Sequence, residues 1–249
     1  MPQTPPRVEI TEYGNRISKP SVIVAVPDVG LIGTIACSYI VEQLKFEPKG
    51  HIDSDLAPQV MLVRDSVPTY PIQIFGKDKM LIVISGVPLR PKFSLELAKE
   101  IARWAKERDA KVVVGVSGAP SRKREESHGD GVPTVTGVSN DQVMLKGLKA
   151  IGALPLEQGG LTGFYASLMK YCMVNDQANV TLLGESMLQF PDPGAAAAAI
   201  GVLSAMVGLK VDTKPLLKES EEVRMKTREL MSQTQAAQQP TVGNPSAYR

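Results

Sequence analysis

The chain has 249 residues, 43% of them hydrophobic and 22% charged, with a formal net charge of +2. That length supports a substantial core, and that balance excludes a wholly disordered chain. The small net charge and the 5% aromatic content supply neither the basic field nor the stacking platforms of a nucleic-acid binder, and no membrane-surface charge either.

Residues 1–20 read as a polar lead-in without the apolar centre of a signal peptide. Ser21-Val22-Ile23-Val24-Ala25-Val26 then predicts a fully buried strand. It runs through Pro27-Asp28-Val29-Gly30 into a helix whose apolar face carries Ile32, Ile35, Ala36, Tyr39 and Ile40. Strand-like runs follow at residues 60–63, 72–75 and 80–84, and Gly76-Lys77-Asp78 predicts a hairpin between the last two. Phe93, Leu97, Ile101, Trp104 and Ala105 mark a second helix, and residues 112–116 another buried strand. The charged stretch 121–131, with Arg122-Lys123-Arg124 balanced by Glu125-Glu126, reads as a mobile, solvated surface loop.

Further on, residues 163–173 predict a helix and residues 180–183 a strand. Asp192 and Pro193 are the N-cap and first-turn residues of an alanine-rich helix. Residues 194–209 carry no charge, but Gly201, Ser204 and Gly208 interrupt them and they are short for a membrane span, so a buried core helix is expected. Strands alternating with helices predict an α/β domain over 21–214, its sheet mainly parallel or mixed and flanked by helices. Residues 215–231 form a charged helical pattern with a Glu222–Lys226 pair and Leu216, Val223 and Leu230 on one stripe. From 232 to 246 the chain is mostly Gln, Thr, Ala, Ser, Pro and Gly, without charge and with Val242 the one aliphatic larger than Ala, which predicts a flexible, disordered tail over 232–249 ending in Ala247-Tyr248-Arg249.

Four kinds of chemistry can be tested against these residues. Asp28-Val29-Gly30-Leu31-Ile32-Gly33 follows a strand and opens a helix, with Asp53 downstream, as in a dinucleotide fingerprint. Asp28, however, stands where the first glycine belongs, and a carboxylate there repels a pyrophosphate; Gly30 and Gly33 are better explained by turn and packing. Gly115-Val116-Ser117-Gly118-Ala119 approximates a nucleophile elbow, yet the two histidines, His51 and His128, do not follow in triad order, so Ser117 reads as the polar end of a strand. Cys37, Cys172, His51 and His128 form no close-spaced ligand pairs, so no metal is expected; two distant cysteines suit a reduced, cytoplasmic setting. At the terminus, a free carboxylate can be captured by a lysine, while Tyr248 supplies an apolar ring and a hydroxyl.

Val26 to Gly33, Pro71-Ile72-Gln73-Ile74-Phe75, Gly160-Leu161-Thr162-Gly163, Leu183-Gly184-Glu185-Ser186, Pro191-Asp192-Pro193 with its alanines, and Asp212 to Leu217 occur in an order that resembles the proteasome assembly chaperone 2 family over about residues 20–230. The resemblance implies an α/β fold related to nucleoside phosphorylases but without their catalytic residues, hence no enzyme and no cofactor. It implies ATP-independent binding to the α ring of the proteasome core particle, as an assembly chaperone or an activator-like factor, by a homo-oligomer (tetramer or pentamer). It also gives Ala247, Tyr248 and Arg249 the roles of a hydrophobic–Tyr–X anchor: Tyr248 enters a pocket between α subunits and the Arg249 carboxylate pairs with a pocket lysine. Ala247 is the smallest residue able to fill the hydrophobic position, so each tail should bind weakly and gain from being present in several copies. Two rival readings are a phosphorylase-like enzyme, for which Gly30, Gly33 and Asp53 are the candidates, and an interaction scaffold unrelated to the proteasome.

Overall fold

An apolar run such as residues 22–26 can be accommodated only with cover on both faces, and the computed structural model provides it. The structure describes residues 8–127, 131–188, 190–218 and 220–222. In chain order its elements are β1 (Val8–Glu12), β2 (Ser21–Ala25), a 3-10 turn (Val29–Leu31), α1 (Ile32–Gln43), β3 (Glu47–Ser54), β4 (Leu62–Arg64), β5 (Val67–Thr69), β6 (Ile72–Lys77), β7 (Met80–Ser85), α2 (Pro91–Glu107) and β8 (Val112–Pro120). There follow α3 (Arg122–Glu126), β9 (Val135–Ser139), α4 (Gln142–Gly147), a second 3-10 turn (Leu148–Ile151), β10 (Leu154–Pro155), α5 (Gly163–Val174), β11 (Asn179–Ser186) and α6 (Pro193–Val207).

Among the described residues, nine strands form one mixed sheet in the order β1-β3-β6-β7-β2-β8-β11-β9-β10. Its centre, β7-β2-β8-β11, is parallel. The hairpin β6–β7, together with β3 and β1, extends one side antiparallel. Strand periodicity divides β2 between two cores. Ile23 and Ala25 face α1 and α6, while Val22 and Val24 face α2 and α5. The alanine-rich α6 is a buried core helix, capped by the Asp192 carboxylate, which accepts the Ala195 N–H at 2.9 Å. Among the described residues no helix is long and apolar enough to cross a membrane.

Several segments differ from the sequence reading. Val8–Glu12, within the lead-in, is an edge strand, held to α2 by the Trp104 indole N–H on Glu12 (2.8 Å) and by an Arg108–Glu12 ion pair. The run at 60–63 contributes only to β4, which pairs with β5 in a separate ribbon, where Val63 and Val67 are 68% and 58% exposed. The charged stretch 121–131 is not a solvated loop at Arg124. Residues 122–126 form the short helix α3, and Arg124 is 4% exposed, its Nη2 donating to both oxygens of Asp192 at 3.1 and 2.9 Å. Residues 214–218 and 220–222 are helical, and Leu216 packs into the core cluster that holds α1 and α6. Val223, Leu230 and the remaining tail lie outside the described residues.

Candidate functional site

The pairing of β2 with β8 ends at Val24 and Gly115. Just beyond it, one side chain takes over the bridge. Tyr165, on α5, accepts the Val26 N–H at 3.1 Å and donates to the Val116 carbonyl at 2.5 Å, both within the core. Past this staple the chain after β2 and the end of β8 enclose a cavity of about 910 Å³, together with the starts of α2 and α5. The helix following β2, α1, lies on one face of the sheet and the helix following β7, α2, on the other. Adjacent parallel strands whose connections depart in opposite directions leave a crevice at their C-terminal ends, the general ligand position of such sheets.

Most of the lining is apolar, including Leu89, Leu95, Leu161 and Phe164; the polar side chains include Asp28, Ser117, Ser94 and Thr162. Among the described residues of the lining, Asp28 is the single charged one. Its Oδ2 accepts the Ser117 hydroxyl. Burial raises its pKa from the ordinary 3.8 to about 7, against the lowering effect of Ser117. The Gly118 N–H also favours the anion, but no well-formed hydrogen bond reaches the buried Oδ1.

This shift has a stability consequence. Between about pH 4 and 7 the folded chain holds a proton that the unfolded chain has released, so Asp28 lowers stability progressively as pH rises through that window and fully above it. Asp28→Asn should therefore gain stability relative to the unsubstituted chain from pH 4 up to about 7 and keep a constant advantage above. Urea titrations at pH 4.5, 6 and 8 test this; a difference independent of pH would place the carboxyl in the ordinary range.

The residues of the dinucleotide reading are not brought together. Gly30 and Gly33 are packing glycines: a Cβ on Gly30, at φ +65°, would meet the Ser186 hydroxyl at 1.9 Å, and one on Gly33 would meet the Val116 carbonyl oxygen at 2.1 Å. Asp53 sits on β3, paired with Glu9 at the far side of the sheet, three strands from β2. Among the described residues Ser117 has an acid as its partner and no histidine. His51 stacks on Tyr70 at 3.6 Å and shares a 2.5 Å hydrogen bond with Tyr13, and His128 lies outside the described residues. Cys37 and Cys172 are buried free thiols, pushed up to about 12 by burial. Among the described residues no cluster of three or more His, Cys, Asp or Glu could hold a metal ion. Ala247, Tyr248 and Arg249 also lie outside the described residues. The sequence reading weighed Asp28 only as a flaw in a phosphate site; its position between a strand end and a glycine turn was the available signal for a pocket acid.

Comparison with known proteins adds four findings. The model of the PAC2 family matches residues 22–231. An uncharacterised protein of Methanocaldococcus jannaschii is 27% identical over 214 residues, 86% of each chain. The crystal structure of Pyrococcus furiosus PbaA, an archaeal homolog of proteasome-assembly chaperone, matches with a TM-score of 0.81 at 29% identity, over 92% of this chain and 94% of that one. That of Pyrococcus furiosus PbaB, an archaeal proteasome activator, matches with a TM-score of 0.78 over 90% and 98%, but at 19% identity the likeness is one of fold.

Proposed function

The chain belongs to the PAC2 family, and from that premise we propose that it is an ATP-independent proteasome assembly chaperone or activator-like factor that binds the α ring of the core particle in the cytoplasm. The observation that carries this reading is the likeness to PbaA, which extends over nearly the whole of both chains. The body sets the geometry of a homo-oligomer (tetramer or pentamer), and Ala247-Tyr248-Arg249 of each copy supplies an anchor. A charge-free segment, 232–246, separates that ending from the body. Tyr248 fills a pocket between α subunits and the Arg249 carboxylate pairs with a lysine there, a mode of capture that recurs for chain ends. Ala247 offers little apolar area, so one tail binds weakly; several tails on one oligomer raise the effective concentration.

Removing residues 247–249, or Tyr248→Ala, is expected to weaken core-particle binding by at least about tenfold, since every copy loses its anchor at once. The body should keep its unfolding midpoint. Pull-down of core particles with the full chain and with each variant measures this, and undiminished capture by the shortened chain would refute the anchor. Failure of the full chain to capture α rings would refute the wider reading.

A further inference from the structure

The antiparallel wing of the sheet, β1-β3-β6, ends in a basic groove on one side and an acidic ribbon on the other. We infer that these are the two halves of one contact between copies of this chain: the β4–β5 ribbon of one copy enters the basic groove of the next. The contact deepens the homo-oligomer proposed above and rests on it.

The groove encloses about 710 Å³ between the chain before β2, the start of β3 and the β6–β7 turn. Arg16, Lys45, Lys49, Lys77 and Lys79 line it, against the carboxylates of Glu47 and Asp78 among the described residues. Cations are therefore in clear excess. Lys49 pairs with Glu47 at 3.0 Å, while Lys77 and Arg16 donate to the carbonyls of Leu44 and Glu107. Lys45 and Lys79 are exposed and make no side-chain hydrogen bond or ion pair among the described residues. Ile17 and the lysine stems give the lining its apolar surface.

The ribbon stands at the opposite end of β3, which runs from Glu47 in the groove to Ser54 at the ribbon's foot, about 25 Å at the rise of a strand. Two strands of three residues have no core of their own, and Val63 and Val67 stay exposed together with Met61. Asp65 and Ser66, which join the strands, both take positive φ, +49° and +64°, as in the tight hairpin turn whose twist matches its strands. The tip is thus a preformed projection. Residues 53–70 carry the carboxylates of Asp53, Asp55 and Asp65 and a single cation, Arg64. Asp55 and Asp65 are exposed, with no side-chain hydrogen bond or ion pair among the described residues.

Each half supplies what the other lacks. The ribbon's carboxylates meet the free lysines, Arg64 meets Asp78, and Val63 and Val67 lie on Ile17 and the lysine stems. Exposed ion pairs add little singly, so the opposed charges set partner and register, and covering the valines supplies the apolar area. An acidic partner of another kind would fill the groove and leave the ribbon bare; a second copy covers both. Unequal surfaces repeated from copy to copy close a ring when the rotation between copies allows it.

Sedimentation velocity of the full chain over a concentration series is the test. Asp55→Lys/Asp65→Lys, on the ribbon, and Lys45→Glu/Lys79→Glu, in the groove, should each raise the concentration needed for assembly by at least about tenfold, because like charges then face each other. All four positions are exposed, and lysine already takes positive φ at Lys19 and Lys45, so circular dichroism should show the fold retained. The chain carrying all four changes should reassemble, since reversed ribbon then meets reversed groove. An unsubstituted chain that stays monomeric would overturn this contact together with the homo-oligomer. An assembly that either pair of changes fails to loosen, or that the fourfold chain fails to restore, would overturn the contact alone.

Discussion

Arg124→Met should lower the unfolding free energy by about 3–5 kcal/mol, because it strands the Asp192 carboxylate in the core. Both side chains are almost completely enclosed, Arg124 at 4% and Asp192 at 2% exposure. Taking two ions out of water is costly, and the attraction between them offsets that cost only while both are present. The methionine retains the apolar length of the arginine stem, so the loss reports the unpaired charge and not a cavity. Asp192 also caps α6 through the Ala195 N–H, so Asp192→Asn is the suitable partner change; it keeps an acceptor for the cap. The double variant Arg124→Met/Asp192→Asn should lose clearly less than the sum of the two single changes, since neither ion remains to be stranded. Urea unfolding of the four proteins in a cycle measures the coupling; strict additivity would show that the two residues are stabilised independently.

Gly33→Ala should be at least as disruptive, costing about 3 kcal/mol or more, since overpacking against an immovable backbone exceeds the usual 1–3 kcal/mol of a crowded core. The added methyl would lie 2.1 Å from the Val116 carbonyl oxygen and 3.0 Å from its carbon. Neither can retreat. Val116 belongs to β8 at the centre of the sheet, and its carbonyl also accepts the Tyr165 hydroxyl that joins β8 to the chain after β2. Pushing α1 off the strand would therefore open the wall of the cavity as well as the core. Gly201→Ala is the internal control. It lies in α6 with nothing within 4 Å of its missing Cβ, and there the same change should add roughly 0.5–1 kcal/mol through backbone entropy. Opposite signs at the two positions, read from thermal or urea unfolding, are the expected outcome; equal effects would mean that helix propensity, not contact with β8, governs Gly33.

The elements legible in the sequence are those whose signal is local. Residues 22–26, 80–84 and 112–116 are apolar without interruption because both faces of their strands are covered, and each run becomes a central strand. The start of α6 was readable from Asp192 and Pro193 alone, since capping is settled within one turn. The outer, antiparallel strands were not readable in this way. β3 carries Glu47, Pro48, Lys49 and Gly50 in its first half, and only Ile52 among its side chains is buried apolar surface, so its place in the sheet comes from pairing with β1 and β6. Backbone pairing makes small demands on composition, and a strand that buries one apolar residue leaves no period to detect.

The same division runs through the functional residues. By itself the sequence determined the family resemblance, the order of the central strands and helices, and the ending Ala247-Tyr248-Arg249, all of which are written in contiguous residues. Only the tertiary structure decided what becomes of the isolated charges. Arg124 lies in a run that reads as solvated, and it is buried because Asp192, 68 residues later, is folded against it. Asp28 reads as a misplaced acid in a phosphate turn, and becomes the carboxyl of an apolar cavity because Ser117, Tyr165 and the start of α5 enclose it. The physical reason is the same for both. A charge is described by its surroundings, and those surroundings are desolvated by residues far away in the chain, whereas an apolar period carries its own instruction locally.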